Sequence, residues 1–200
     1  MNERLNKTFL NGIITVCPIC GAIFNQQSKS DKTLHKRIHN DFLSGVISPK
    51  IKEKELIITP EHKIIYIDPN SRAPLRNLVN KLLERAAKDL GDAPPLPSQW
   101  KCYVEIKGKY AIGFLLIENN VIGKLQNGKS QKCPIGILRM WVITKERRTG
   151  VCTAMLDAAR NNENVIIPYC SIAFSDPTED GLAFATSYCG AEPFIYHIIL

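Results

Sequence analysis

Arg139-Met140-Trp141-Val142-Ile143-Thr144-Lys145-Glu146-Arg147-Arg148-Thr149-Gly150-Val151-Cys152-Thr153-Ala154 reads as an apolar strand, a basic turn, a glycine and then a helix. Backbone N–H groups at a helix N-terminus lack partners and carry partial positive charge, so they suit an anion. A small residue beside them lets a pyrophosphate approach, and Arg147 and Arg148 add counter-charge.

Outward from this segment, Trp100–Ile106 and Tyr110–Glu118 predict a hairpin, and Asn119–Lys132 a polar loop. Ile135–Thr144 is strand-like and Val151–Ala159 helical. Val165–Ile167 and Ser171–Phe174 follow as strands, Thr178–Tyr188 as a helix and Phe194–Leu200 as a last strand. Upstream, Glu55–Thr59 and Lys63–Asp68 predict another hairpin. Leu75, Leu78, Val79, Leu82, Leu83 and Ala86 recur at helical spacing before Gly91, and Asp92–Pro97 is a stiff connection. Strands alternating with helices after antiparallel hairpins predict an α+β, mixed α/β sheet over residues 54–200.

Residues 12–48 carry a separate pattern. Cys17-Pro18-Ile19-Cys20 is followed by His35-Lys36-Arg37-Ile38-His39. Two thiolates on a tight turn and two histidines at i and i+4 on one helix face can complete a tetrahedral zinc site. Phe24 and Leu34 are the expected miniature core, and Ser30 and Asp31 the expected helix cap. This predicts a ββα zinc finger. Lys32, Lys36 and Arg37 are candidates for phosphate contact, but one finger alone reads little DNA, so a structural or docking role is favoured and direct DNA contact stays open.

The chain has 200 residues, 44% hydrophobic and 22% charged, with a net charge of +7. That supports one core plus a small satellite and excludes wholesale disorder. No stretch approaches the ~20 apolar residues of a spanning helix, so no membrane is expected. The first 16 residues lack the apolar run of a secretory signal, and seven cysteines argue for thiols over a disulfide framework. The excess positive charge sits in residues 1–90, at +6 against +1 in the remainder, which suits a polyanionic neighbour.

Ile172-Ala173-Phe174-Ser175-Asp176-Pro177-Thr178-Glu179-Asp180-Gly181 reads by itself as a helix start, with Asp176 as cap, Pro177 at the first position and Glu179 closing a capping box.

Together these motifs resemble a known family. Arg147-x-x-Gly150-x-Cys152 is similar to the acyl-CoA turn of the GNAT N-acyltransferases. The finger followed by Phe42-Leu43-Ser44-Gly45 resembles that of the sister-chromatid-cohesion acetyltransferases. Arg139-x-Trp141-Val142, Leu156-Asp157-x-x-Arg160-Asn161, Ala173–Thr178, Asp180-Gly181, Phe184-Ala185-Thr186 and Tyr188-Cys189-Gly190 resemble the same family in order. The resemblance implies a GNAT fold and transfer of acetyl from acetyl-CoA to lysines of the cohesin SMC head, in the nucleus. Chromatin or the replication clamp would be further partners. It implies Asp176, then Asp157, as the carboxylates that take or orient the lysine proton. It places the cofactor on Met140, Trp141, Val142, Arg147, Arg148, Thr149, Gly150, Val151, Cys152, Thr153, Thr178, Glu179 and Asp180. Leu138 departs from relatives that carry serine there.

No histidine is placed by sequence to activate Cys152 or Cys170, so direct transfer is expected over an acetyl-cysteine route. Asn2-x-x-Leu5-x-x-Thr8-Phe9 partly echoes a clamp-binding peptide and departs from it at two of four key positions. The alternative from another class is a zinc-finger binding module on a non-catalytic acyltransferase scaffold.

Overall fold

The computed structural model describes residues 14–52, 56–58, 61–91, 95–163 and 171–197. The expected strand at Val165–Ile167, Cys170, the clamp-like stretch Asn2–Phe9, the first residues of the finger segment, Asp92–Pro94 and the tail of the last strand lie outside them. The chain divides into two compact units, Met1–Gly45 and Val46–Leu200.

In the first unit, β1 (Ile14–Val16) pairs antiparallel with β2 (Ile23–Asn25), and α1 (Lys29–Ser44) follows. Gly21 adopts φ +72° in the connecting turn, where its N–H bonds the Cys17 carbonyl at 2.9 Å. The helix cap is Ser28, upstream of the expected Ser30. Ser28 has the extended backbone a cap requires, and its Oγ accepts from the Asp31 N–H at 3.2 Å. The expected Leu34 core contact does not form. Leu34 is 47% exposed, and Phe24 instead stacks on the His35 ring at 3.9 Å.

The second unit is built on an eight-stranded sheet. Its path runs β10 (Phe194–Tyr196), β9 (Ile172–Ser175), β8 (Ser130–Val142), β7 (Tyr110–Lys124), β6 (Lys101–Lys107), β5 (Lys63–Ile67) and β4 (Leu56–Ile58). Short β3 (Val46–Ile47) pairs with the start of β7, so the last residues of the predicted finger segment belong to this sheet. Strands β4 to β8 are antiparallel, while β8–β9 and β9–β10 are parallel. The parallel crossovers carry α3 (Val151–Asn162) and α4 (Glu179–Cys189).

Helix α2 (Ala73–Leu90) buries Leu75, Leu78, Val79, Leu82 and Ala86, as its periodicity predicts, and Gly91 ends it at φ +78°. At its far end α3 is tied to the sheet by Glu163, which binds Lys101 and accepts from the Tyr103 hydroxyl at 3.1 Å.

Asn119–Lys132 is not a loop. Strands β7 and β8 stay paired through it, from Asn119↔Ile135 to Lys124↔Ser130, and only Leu125–Lys129 turns. Its polar residues hid the strand signal because one face of this hairpin looks to solvent. The other face packs so closely that a Cβ on Gly123 would lie 2.6 Å from the Phe194 Cβ.

Two features of β8 shape the site. Its register with β7 slips between Leu116/Ile117, so Leu138 stands as an extra, bulged residue between Ile137 and Arg139. Its parallel pairing with β9 runs from Ile135↔Ile172 to Ile137↔Phe174 and stops there. Beyond Ile137 the two strands part, and the β8 edge faces a cleft.

Candidate functional site

Two cavities occupy that opening. One, about 340 Å³, is lined by Leu138, Arg139, Met140, Phe174, Ser175 and Asp176 among others. The other, about 780 Å³, is lined by Met140, Trp141 and Val142, the basic turn, the start of α3 and one face of α4. Leu90, Met140, Thr178 and Gly181 line both, so they form one continuous cleft. Of the residues expected to hold the cofactor, Met140, Trp141, Val142, Arg147, Arg148, Gly150, Val151, Cys152, Thr153, Thr178 and Asp180 line the larger cavity. Thr149 and Glu179 do not. The Thr149 hydroxyl instead bonds the Glu146 carbonyl at 2.7 Å and braces the turn.

Arg148 and Gly150 both have positive φ, +63° and +88°, and this reverses the chain into α3. Gly150 caps the helix with no side-chain acceptor, so the first turn of α3 presents its N–H groups to the cavity. The two arginines differ. Arg147 is committed to the protein, with Nε on the Val142 carbonyl at 3.0 Å and a terminal nitrogen on Asp89 Oδ2 at 2.9 Å. Arg148 is 92% exposed and only loosely faces Asp180 at 3.9 Å. Arg148 is therefore the counter-charge available to an incoming phosphate.

Asp89 was not singled out by the sequence. It also accepts from Trp141 Nε1 at 2.8 Å, so one carboxylate at the end of α2 pins both β8 and the basic turn. Arg139 adds a second tie, donating to the Gly91 carbonyl at 2.6 Å. A lone Asp near a helix C-terminus carries no local signal of such a contact. Cys152 lines the cavity, but burial pushes its thiol up to about 11, partly offset by Arg147, which makes it a poor nucleophile.

The carboxylates separate. Asp176 lines the smaller cavity beside the bulge. It does not cap α4: that cap is Thr178, whose hydroxyl accepts from the Gly181 N–H at 3.2 Å. Asp176 instead has φ +37°, a left-handed conformation that costs an L-residue about 1 kcal/mol and that Asp tolerates better than most. Its Oδ1 lies 2.7 Å from His197 Nδ1. Asp157 does not line the smaller cavity; it accepts from the Tyr188 hydroxyl at 2.5 Å in a recess with Thr153, Phe184 and Ser187, which also line the larger cavity. The structure does not bring Asp157 and Asp176 to one cavity.

In the finger, Cys17, Cys20, His35 and His39 converge, with all four ligand atoms within 4.8 Å of one another. Cys17 Sγ is 3.4 Å from His39 Nδ1 and Cys20 Sγ is 3.5 Å from His35 Nε2. A tetrahedral zinc with ordinary bond lengths has S···N edges of about 3.5 Å. The Cys20 backbone N–H, ahead of the opposing effect of burial and with help from the Ile19 N–H, brings the Cys17 thiol down to about 6. The donor set and spacing fit zinc.

Residues 131–197 match the model of the ESCO1/2 acetyl-transferase family. The chain is 30% identical over 220 residues to N-acetyltransferase ESCO1 of Mus musculus, an alignment covering 90% of this chain and 25% of that protein. It is 27% identical over 186 residues to N-acetyltransferase ECO1 of Yarrowia lipolytica, covering 88% and 68%. The chain is similar to the ESCO and ECO1 N-acetyltransferases along most of its own length. It spans about a quarter of the length of the ESCO1 relatives. The fold matches that of the xEco2 acetyltransferase domain bound to a K105-CoA conjugate, with TM-score 0.66 at 24% identity over 73% of this chain and 99% of that one. The mixed sheet with its parted β8 and β9 thus has the fold of that acetyltransferase domain.

Proposed function

We propose that the chain is an acetyl-CoA-dependent protein-lysine N-acetyltransferase that acts in the nucleus on lysines of the cohesin SMC head. The observation that carries this reading is the continuous cleft, with an anion-binding helix start at one end and a carboxylate at the other. The names of its homologues and the CoA conjugate on a protein of the same fold support it.

Acetyl-CoA would supply a thioester-activated acetyl group. The N–H groups at the start of α3, with Arg148, would hold its pyrophosphate. The β8 edge at Met140–Val142 would line its arm. A lysine ammonium, with pKa near 10.4, must lose a proton before it attacks. Asp176, which lines the smaller cavity together with the bulged Leu138, would take or orient that proton. Asp157, bound to Tyr188, holds α3 to α4.

The test is transfer of labelled acetyl to a cohesin head fragment. Asp176→Asn is expected to lower kcat by about 10²–10⁴-fold while leaving acetyl-CoA binding intact. Asp157→Asn should act mainly on stability. Absence of transfer by the parent chain, or full transfer by Asp176→Asn, defeats the proposal. DNA binding that persists in Arg148→Glu, with no thermal stabilisation by acetyl-CoA, would favour the binding-module alternative.

A further inference from the structure

Strands β9 and β10 are parallel neighbours, in register from Phe194↔Ala173 to Tyr196↔Ser175. The next residue on each strand is therefore Asp176 on one and His197 on the other. The sheet itself sets these two side chains together at the mouth of the lysine-side cavity, where His197 Nδ1 meets Asp176 Oδ1 at 2.7 Å. Asp176 leaves the extended conformation just there, at φ +37°, before Pro177. A carboxylate on a bend of this kind has no regular backbone ladder to orient it. An outside hydrogen bond is what can hold it.

We infer that His197 is the positioning residue for Asp176: its Nδ1–H holds Oδ1 and leaves Oδ2 to meet the incoming lysine. The inference rests on the acetyl-transfer reading above and deepens it. Which imidazole nitrogen carries the proton is set by the bond the other partner makes, so a neutral His197 held in this way is the Nδ1–H tautomer. The alternative tautomer would set a lone pair against the carboxylate, and the contact would open. Both side chains are more than half exposed in the absence of substrate. The bond therefore gains strength once a protein substrate covers the cavity and excludes water. Among the described residues, His197 is the side chain hydrogen-bonded to Asp176. The Tyr196 hydroxyl is buried beside Glu118, and burial first, then the charges of Glu118 and Asp176, keep its proton on.

Two measurements test this. Nitrogen-15 NMR of the whole chain is expected to show His197 as the Nδ1–H tautomer and to lose that signature in Asp176→Ala. In steady-state transfer, His197→Ala is expected to lower kcat about 10-fold with the KM for acetyl-CoA unchanged. His197→Asn, whose amide can donate from nearly the same place, should recover most of the loss. An Nε2–H tautomer indifferent to Asp176→Ala, a full kcat in His197→Ala, or an Asn variant no better than Ala would each overturn the inference. If the parent chain transfers no acetyl group, the acetyl-transfer reading falls with the catalytic role of His197, whereas the NMR arm still decides whether the pair exists.

Discussion

Helix α1 of the finger runs for 16 residues without burying one, whereas α2 of the larger unit runs for 18 and buries five. The first has four ligand atoms at its base and a single ring stacked on a ligand histidine. The second lies on a sheet whose core includes Tyr103, Phe114, Ile64, Leu78 and Met155, all fully buried. Two units of one chain thus reach a fixed shape by coordination in one case and by apolar burial in the other. The same kind of substitution should consequently have different effects in each.

Metal removal breaks the comparison open. A structural zinc contributes an apparent ~10–16 kcal/mol to the folding of such a finger. Chelation, or His35→Ala, is expected to melt α1 while the cooperative transition of the larger unit stays in place. Circular dichroism and metal analysis read both, and a common loss of structure would contradict the contrast.

Next in size is overpacking of the sheet. Gly123→Ala drives a Cβ to 2.6 Å from Phe194 and 3.0 Å from Ala173, at an expected cost of about 1–3 kcal/mol in denaturant unfolding. Zinc affinity should not change.

Ser28→Ala sharpens the contrast. Loss of an N-cap costs about 1 kcal/mol. In the finger, where binding and folding are linked, this should appear as roughly fivefold weaker zinc affinity and not as a lower midpoint of the main transition.

The smallest effect concerns Glu105, buried in β6 beside His62, with its second carboxylate oxygen lacking a hydrogen-bond partner among the described residues. Burial raises its carboxyl above the ordinary range, and His62 only partly opposes this. Below about pH 4.3 both folded and unfolded chains hold the proton, and no stability is lost. As pH rises the unfolded chain ionises first, so stability falls until the folded carboxyl ionises as well. Glu105→Gln should therefore gain on the parent as pH rises above about 4.3, on the order of half a kcal/mol. Parallel pH–stability curves would show that Glu105 contributes nothing.

The parts legible in the sequence are those whose chemistry is local. Cys17, Cys20, His35 and His39 reveal a metal site by spacing, and Arg147 to Gly150 reveals an anion turn by its place between strand and helix. Met140 to Val142 follow from the strand that leads into it. Contacts made across the fold left no such trace. Asp89 looks like any helix acid until Trp141 and Arg147 arrive from 52 and 58 residues away. The bulge at Leu138 exists only relative to β7, and His197 meets Asp176 only because β10 lies beside β9. Asp176 itself was legible both as a cap and as a catalytic group. Its positive φ takes it off the helix and leaves the cap to Thr178.

The parting of β8 and β9 also has a mechanical side. Among the described residues, β9 and β10 are joined to the rest of the sheet by three residue pairs with β8 and one pair, Ile195↔Lys124, with the tip of the β7–β8 hairpin. Asp176 and His197 ride on that narrow leaf, while the anion turn and Met140 ride on the broad one. A molecule that reaches from the basic turn to Asp176 would cross the line along which β8 and β9 part.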